Sequence, residues 1–181
     1  MKRSNLLNFI ACSFLALLAG CGYTTRSLIC DKYKTIYIAP FANKINLTLE
    51  SDVNSKYKVY RPMLETEVTR GTINAFLYDG NVKPVAQESA DLILKAELTE
   101  FRRDPLRYTD NDDVAEYRIN IVVNMNLWDK KNDKLVWEEK GFTGDSTYFT
   151  TGSQAKSEDL AVQDAIKDIS RRIVERVVEQ W

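Results

Sequence analysis

The stretch "AEYRINIVVNMNLWD", residues 115–129, constrains the fold more than any other part of the chain. Tyr117, Ile119, Ile121, Val123, Met125 and Leu127 fall on one side of an extended backbone, and Arg118, Asn120, Asn124 and Asn126 fall on the other. Side chains alternate along a strand with a period of two, so this stretch reads as a long strand with one face in a core and the other in water. Such a strand needs neighbours and a covering layer, and the rest of the chain supplies both.

"ADLILKAELTEF", residues 90–101, alternates in the same way, with Leu92, Leu94, Ala96 and Leu98 opposite Lys95, Glu97 and Thr99. "KKND" turns the chain, and "KLVWEEKGFTGDSTYF" returns as a third long strand. Earlier, "TIYIAPF" is a short β-rich run closed by Pro40, and "NVKPV" is a short edge strand, kept from a central position by Pro84. The polar stretch 42–61 between them fits a loop or a short hairpin.

Two helices complete the pattern. Pro62 suits a first helical position; Leu64, Val68, Ala75 and Phe76 then share one side, and the helix ends near Asp79-Gly80. The second covers about residues 157–180, capped by Ser157, with Glu158 and Asp159 complementing the helix dipole. Val162, Ile166, Ile169, Ile173 and Val177 form its apolar stripe. The expected fold is α+β: two helices packed on one face of a mostly antiparallel (mixed) β-sheet, in the order β-α-β-β-β-α.

The chain begins with Lys2 and Arg3, then an apolar run from about Leu6 to Ala19 that stops at Gly20 and Cys21. A charged start, an apolar middle of ~7–15 residues and small residues at the end describe a secretory signal. The run is broken by Asn8 and is shorter than the ~20 residues needed to span a bilayer. Leu18-Ala19-Gly20-Cys21 looks like the lipobox of bacterial lipoproteins, in which the cysteine is acylated and becomes the new N-terminus. The expected organisation is a signal peptide over residues 1–20 and one α+β lipoprotein domain over 21–181. Two or three acyl chains, at ~0.8 kcal/mol per buried methylene, would hold that domain at a membrane surface outside the cytoplasm.

The bulk numbers narrow the function. The 181 residues carry a formal charge of −1, which gives no overall electrostatic footprint for nucleic acid. There is no histidine, and with it go the usual general base, zinc ligand and triad partner. Of the three cysteines, Cys12 leaves with the signal and Cys21 would carry lipid. Cys30 then has no internal partner and reads as a small, partly buried apolar residue, although an odd cysteine in an exported protein is worth a flag.

Topology suggests where function sits. If the first strand runs up and the 90–101 strand runs up beside it, the loops "RRDPLRYTDNDD" and "TTGSQAKSED" share the upper end, and Cys21 belongs at the lower one. The upper end then presents Arg102, Arg103, Arg107 and Lys156. Beside Asp110, Asp112 and Asp113, the same cations also fit ordinary solvated loop charges.

Several of these pieces together resemble the LptE family of lipopolysaccharide-assembly lipoproteins. They are the lipobox followed by "CGYTTRSL", then "TIYIAPFAN", "ADLILKAELTEF" and "VAEYRINIVVNMNLWD", a further long strand, and a C-terminal helix starting near "AKSED". Their order and spacing span most of the mature chain, with a 44–61 segment longer than the family pattern. The resemblance implies an outer-membrane lipoprotein without enzyme activity or cofactor, facing the periplasm. It would sit in the lumen of an LptD-type β-barrel, help that barrel assemble and bind lipopolysaccharide. By position, Arg107 and Lys156 match the family's basic residues, with Arg102 and Arg103 as further candidates for lipopolysaccharide contact. Gly22 after the cysteine, where an aspartate would retain the protein elsewhere, agrees with sorting to the outer membrane.

Two other classes compete. An outer-membrane lipoprotein that regulates a periplasmic cell-wall synthase also begins with a strand ending near "PFAN", but usually after a long linker, and here only ~13 residues separate Cys21 from that strand. An enzyme would need acid pairs such as Asp112-Asp113 or Glu138-Glu139 to act together. Adjacent acids on a strand point to opposite faces, and the first pair lies in a polar loop. Trp128, Trp137 and Tyr148 read as core or as part of a partner surface.

Overall fold

The computed structural model describes residues 32–45 and 61–179. In chain order the elements are β1 (Thr35–Ile38), β2 (Ala42–Asn43), α1 (Leu64–Asp79), β3 (Lys83–Pro84), a 3-10 turn (Gln87–Ser89), β4 (Leu92–Tyr108), β5 (Val114–Asp129), β6 (Lys134–Phe149) and α2 (Glu158–Val178). The strands form one mixed sheet in the order β3-β1-β4-β5-β6, with β2 also against β4. β1 lies parallel to both β3 and β4, and β4, β5 and β6 are antiparallel neighbours. Both helices cover one face, giving the expected α+β layer pair. Cys21, Cys30 and most of the 44–61 segment lie outside the described residues.

The alternation produces the core. Leu92, Leu94, Ala96 and Leu98 of β4 and Ile119, Ile121, Val123, Met125 and Leu127 of β5 are all buried under the helices. A register shift between Leu98 and Glu100 turns Phe101 inward as well, at 2 % exposure. From above, α2 buries Val162, Ile166, Ile169, Ile173 and Val177, and α1 buries Leu64, Val68, Thr72 and Phe76. Truncating a residue such as Phe101 to alanine costs about 3–5 kcal/mol in a core of this kind.

Two glycines set how closely the layers approach. A Cβ on Gly144 of β6 would stand 2.4 Å from the Ile169 Cβ, so α2 rests directly on that strand. At the end of α1, Gly80 adopts φ 74° and its N–H donates to the Phe76 carbonyl at 3.0 Å, closing the helix in the left-handed conformation that glycine tolerates. At the start of α2, the Ser157 hydroxyl accepts the Leu160 N–H, as the sequence indicates.

The structure corrects two local expectations. Pro62 is not the first helical residue: it sits in a turn, and Met63, at φ 61°, precedes the helix at Leu64. The expected loop beginning at Arg102 is instead the far half of β4, which continues through Tyr108 and leaves the turn to residues 109–113. Pairing with β5 sustains that half from Phe101↔Ile121 to Tyr108↔Val114. Pro105 is tolerated there because β1 and β2 pair with β4 only as far as Leu98, so the proline occupies a sheet edge where its missing N–H breaks no ladder.

The lower end is held by carboxylates. Asp129 accepts the Tyr33 hydroxyl at 2.6 Å and both the side-chain and backbone N–H groups of Asn132. Asp91 accepts the backbone N–H groups of Lys34 and Thr35 and the Thr35 hydroxyl, which fixes the entry into β1. On β6, the outer strand, Asp145 N–H donates to Asp168 and the Thr143 carbonyl accepts from Arg172. Side chains of α2 thus satisfy backbone groups that an open edge would offer to another strand.

Candidate functional site

The end of the sheet where β4 stops, β6 stops and α2 starts gathers the sequence-predicted cations. On one face, the Arg107 guanidinium lies 3.0 Å from the Glu116 carboxylate and 6.0 Å from the centre of the Phe149 ring. Glu116 and Phe149 are cross-strand partners, and the Phe149 carbonyl accepts the Lys156 N–H, so a chain of contacts leads from Arg107 to Lys156. The Lys156 ammonium donates to Asp164 at 2.6 Å and reaches Ser146 at 3.4 Å.

Arg103 lies on the helix-covered face. It pairs with Glu158 at 2.5 Å and stands 5.0 Å over the Tyr117 ring, which stacks on Tyr148 with centroids 5.6 Å apart. Tyr148 donates its hydroxyl to the same Glu158 carboxylate at 3.2 Å. Burial, and then the Glu158 charge, push the Tyr148 hydroxyl up to about 12. Arg102 points to the opposite face, 3.6 Å from Glu100 and 3.9 Å from Asp104, whose carboxylate also accepts from Asn120.

The four cations therefore do not form one cluster. Arg102 and Arg107 lie on the open face of the sheet, Arg103 and Lys156 on the helix side, and each has a carboxylate partner. Glu116, Glu158 and Asp164, which neutralise Arg107, Arg103 and Lys156, were not identified from the sequence as their partners. Arg107 and Phe149 meet through a cross-strand register that no local pattern reveals.

The arrangement offers an exposed Arg107 beside the Phe149 ring and a Lys156–Asp164 pair at the surface. A ligand bearing several phosphates could replace a carboxylate at Arg107 and at Lys156, with the arginine able to bind two oxygens at once. Among the described residues no group of three or more acidic or cysteine side chains is placed to hold a metal ion, and no helix is long and apolar enough to cross a membrane.

The lipopolysaccharide-assembly LptE family model matches residues 33–180, nearly all of the two-helix sheet just described. The chain belongs to the LptE family. No curated protein matches the sequence. Among solved structures, protein XCC0632 from Xanthomonas campestris is similar in fold, with a TM-score of 0.51 and 15% identity, covering 81% of this chain and 85% of its own. The rare lipoprotein B of Shewanella oneidensis aligns at a TM-score of 0.40 and 14% identity over 78% of this chain and 89% of that one. A PelC dodecamer subunit from Paraburkholderia phytofirmans aligns at 0.46 and 12% identity over 82% and 90%.

Proposed function

We propose that this LptE-family protein is the lipid-anchored, non-enzymatic component of an outer-membrane lipopolysaccharide translocon. It is acylated at Cys21 and faces the periplasm. There it plugs and helps assemble an LptD-type β-barrel and binds lipopolysaccharide at the end carrying Arg107 and Lys156. The observation that carries the reading is the family match across residues 33–180.

The local chemistry supports it. Lipopolysaccharide presents phosphates and acidic sugars, and the Arg107 and Lys156 pairs lie at an end of the sheet that solvent reaches. The Lys156–Asp164 pair is of the surface kind that contributes only about 0–1 kcal/mol, so a multivalent anion can displace Asp164. Arg107, 71 % exposed, has room for an anion beside Glu116. Arg103, held by Glu158 and Tyr117, is better placed to fix the start of α2 than to leave it.

The test is lipopolysaccharide binding by the mature protein and its Arg107→Glu/Lys156→Glu variant. Charge-assisted contacts of about 1.5–3 kcal/mol each, reduced by exposure, predict at least a roughly tenfold loss of affinity. Binding that is unchanged in the double variant would move the site away from this end.

A further inference from the structure

The two ends of the sheet differ in charge. The upper turn between β4 and β5 carries Asp110, Asp112 and Asp113, whereas the lower turn between β5 and β6 carries Lys130 and Lys131, and Lys134 opens β6. Lys32 and Lys34 precede β1, and Lys83 opens β3, where its N–H donates to the Lys34 carbonyl at 2.9 Å. Across the same end, the Lys130 N–H donates to the Asp91 carbonyl and its ammonium to the carbonyls of Gln87 and Glu88. All six lysines are exposed, in a chain whose formal charge is −1.

The carboxylates among these strand ends and turns offset them only in part. Asp129 is 3 % exposed and engaged by Tyr33 and Asn132, with Lys32 at 3.6 Å. Asp91 is engaged by Thr35 and by the Lys34 N–H. That leaves Glu88 and Asp133 exposed; Asp79 and Glu179 stand at the helix ends, in the layer behind. On the open face beside the lysines, Trp128 and Leu135 are cross-strand partners. Leu135 is 38 % exposed, and the Lys95 ammonium stands 5.5 Å over the Trp128 ring, whose N–H donates to Asn126. Tryptophan and lysine stems beside ammonium groups suit a membrane–water interface, where amphipathic side chains sit at headgroup level.

We infer that this lower end lies on the phosphate-bearing lipid headgroups of an anionic membrane surface. The lysines meet the phosphates, and Trp128 and Leu135 enter the headgroup layer. The chain enters the fold here: Lys32 follows Cys21 by eleven residues, a reach of at most ~40 Å. Tyr108 closes the 17-residue β4 ~50 Å from its start, so a lipid on Cys21 tethers the lysine end and leaves Arg107 at the farther one. Acyl chains hold the protein, and the basic surface sets its orientation. The inference rests on the proposed Cys21 anchor for which membrane this is.

The test is co-sedimentation of the full mature chain carrying Cys21→Ser, which removes the acyl contribution, with two kinds of vesicle: phosphatidylcholine, and equimolar phosphatidylcholine–phosphatidylglycerol. The expected result is preferential binding to the phosphatidylglycerol vesicles that weakens as salt rises. It falls at least roughly tenfold in Lys131→Glu/Lys134→Glu and stays within about twofold of the parent in Arg107→Glu/Lys156→Glu. Equal binding by the parent and the Lys131/Lys134 variant, no preference for phosphatidylglycerol, or a larger loss in the Arg107/Lys156 variant each overturns the inference. Acyl labelling of the native chain at Cys21 is scored separately. The expected vesicle binding without acyl label supports the basic surface and removes the anchor, whereas acyl label with binding indifferent to the lysines keeps the anchor and removes the surface.

Discussion

The Arg107 guanidinium and the Glu116 carboxylate meet at 3.0 Å, with the arginine side chain 71 % exposed and the glutamate nearly buried. The cation proposed to meet lipopolysaccharide is thus held by its own protein until an anion replaces Glu116. Removing that competitor frees the arginine. Glu116→Gln is predicted to raise lipopolysaccharide affinity about two- to fivefold, the equivalent of up to about 1 kcal/mol. Asp164→Asn does the same through Lys156. Calorimetric titration of both variants decides the point, and affinities equal to the parent in both would remove these cations from the contact.

Gly144 allows α2 to rest on β6, because a methyl group there would overlap Ile169, backbone included. Gly144→Ala forces the helix outward. The expected cost is about 1–3 kcal/mol, or a fall in Tm of roughly 2–12 °C for a domain of this size. Thermal unfolding followed by circular dichroism measures it, and a Tm within a degree of the parent would mean the helix–strand contact is looser than described.

Tyr148 makes stability depend on alkaline pH. Burial and the neighbouring Glu158 charge raise its hydroxyl to about 12 in the fold, against an ordinary value near ~10 in the unfolded chain. Its contribution is complete below pH ~10 and is lost as pH rises from there toward 12. Tyr148→Phe should flatten part of the decline in urea-unfolding stability over that window. Identical slopes for parent and variant would contradict the assignment.

Asp129 acts at the acid side. The Tyr33 hydroxyl first, then the Asn132 donors and Lys32, hold its carboxyl well below the usual range despite burial. Because its folded value is depressed, its contribution is present above the ordinary carboxylate value and disappears as pH falls below ~4. Asp129→Asn is therefore expected to lower Tm at neutral pH and to shrink the loss of stability on acidification. A variant with the parent's Tm at pH 7 would show that the Tyr33 contact does not hold β1 to the sheet.

The long-range architecture was legible where one physical signal dominated. Period-two alternation in β4 and β5 and the Val162–Val177 stripe each specify a buried face, and in the structure those faces form the core. The far half of β4 was misread because Pro105 and a run of charges look like a loop. What sustains the strand there is pairing with β5, a non-local cause. The charged end was legible as a set of cations but not as a set of pairs. Glu116 reaches Arg107 through strand register, and Glu158 reaches Arg103 through the docking of α2, and neither relation leaves a mark in local sequence.

The central claim is that this LptE-family chain works as the partner of an outer-membrane β-barrel. The most direct measurement is co-purification of the tagged lipoprotein from detergent-solubilised outer membranes, with mass spectrometry of the stoichiometric partner. The account predicts one large LptD-type β-barrel in equal amount. A peptidoglycan synthase in its place, or the lipoprotein alone, would contradict it.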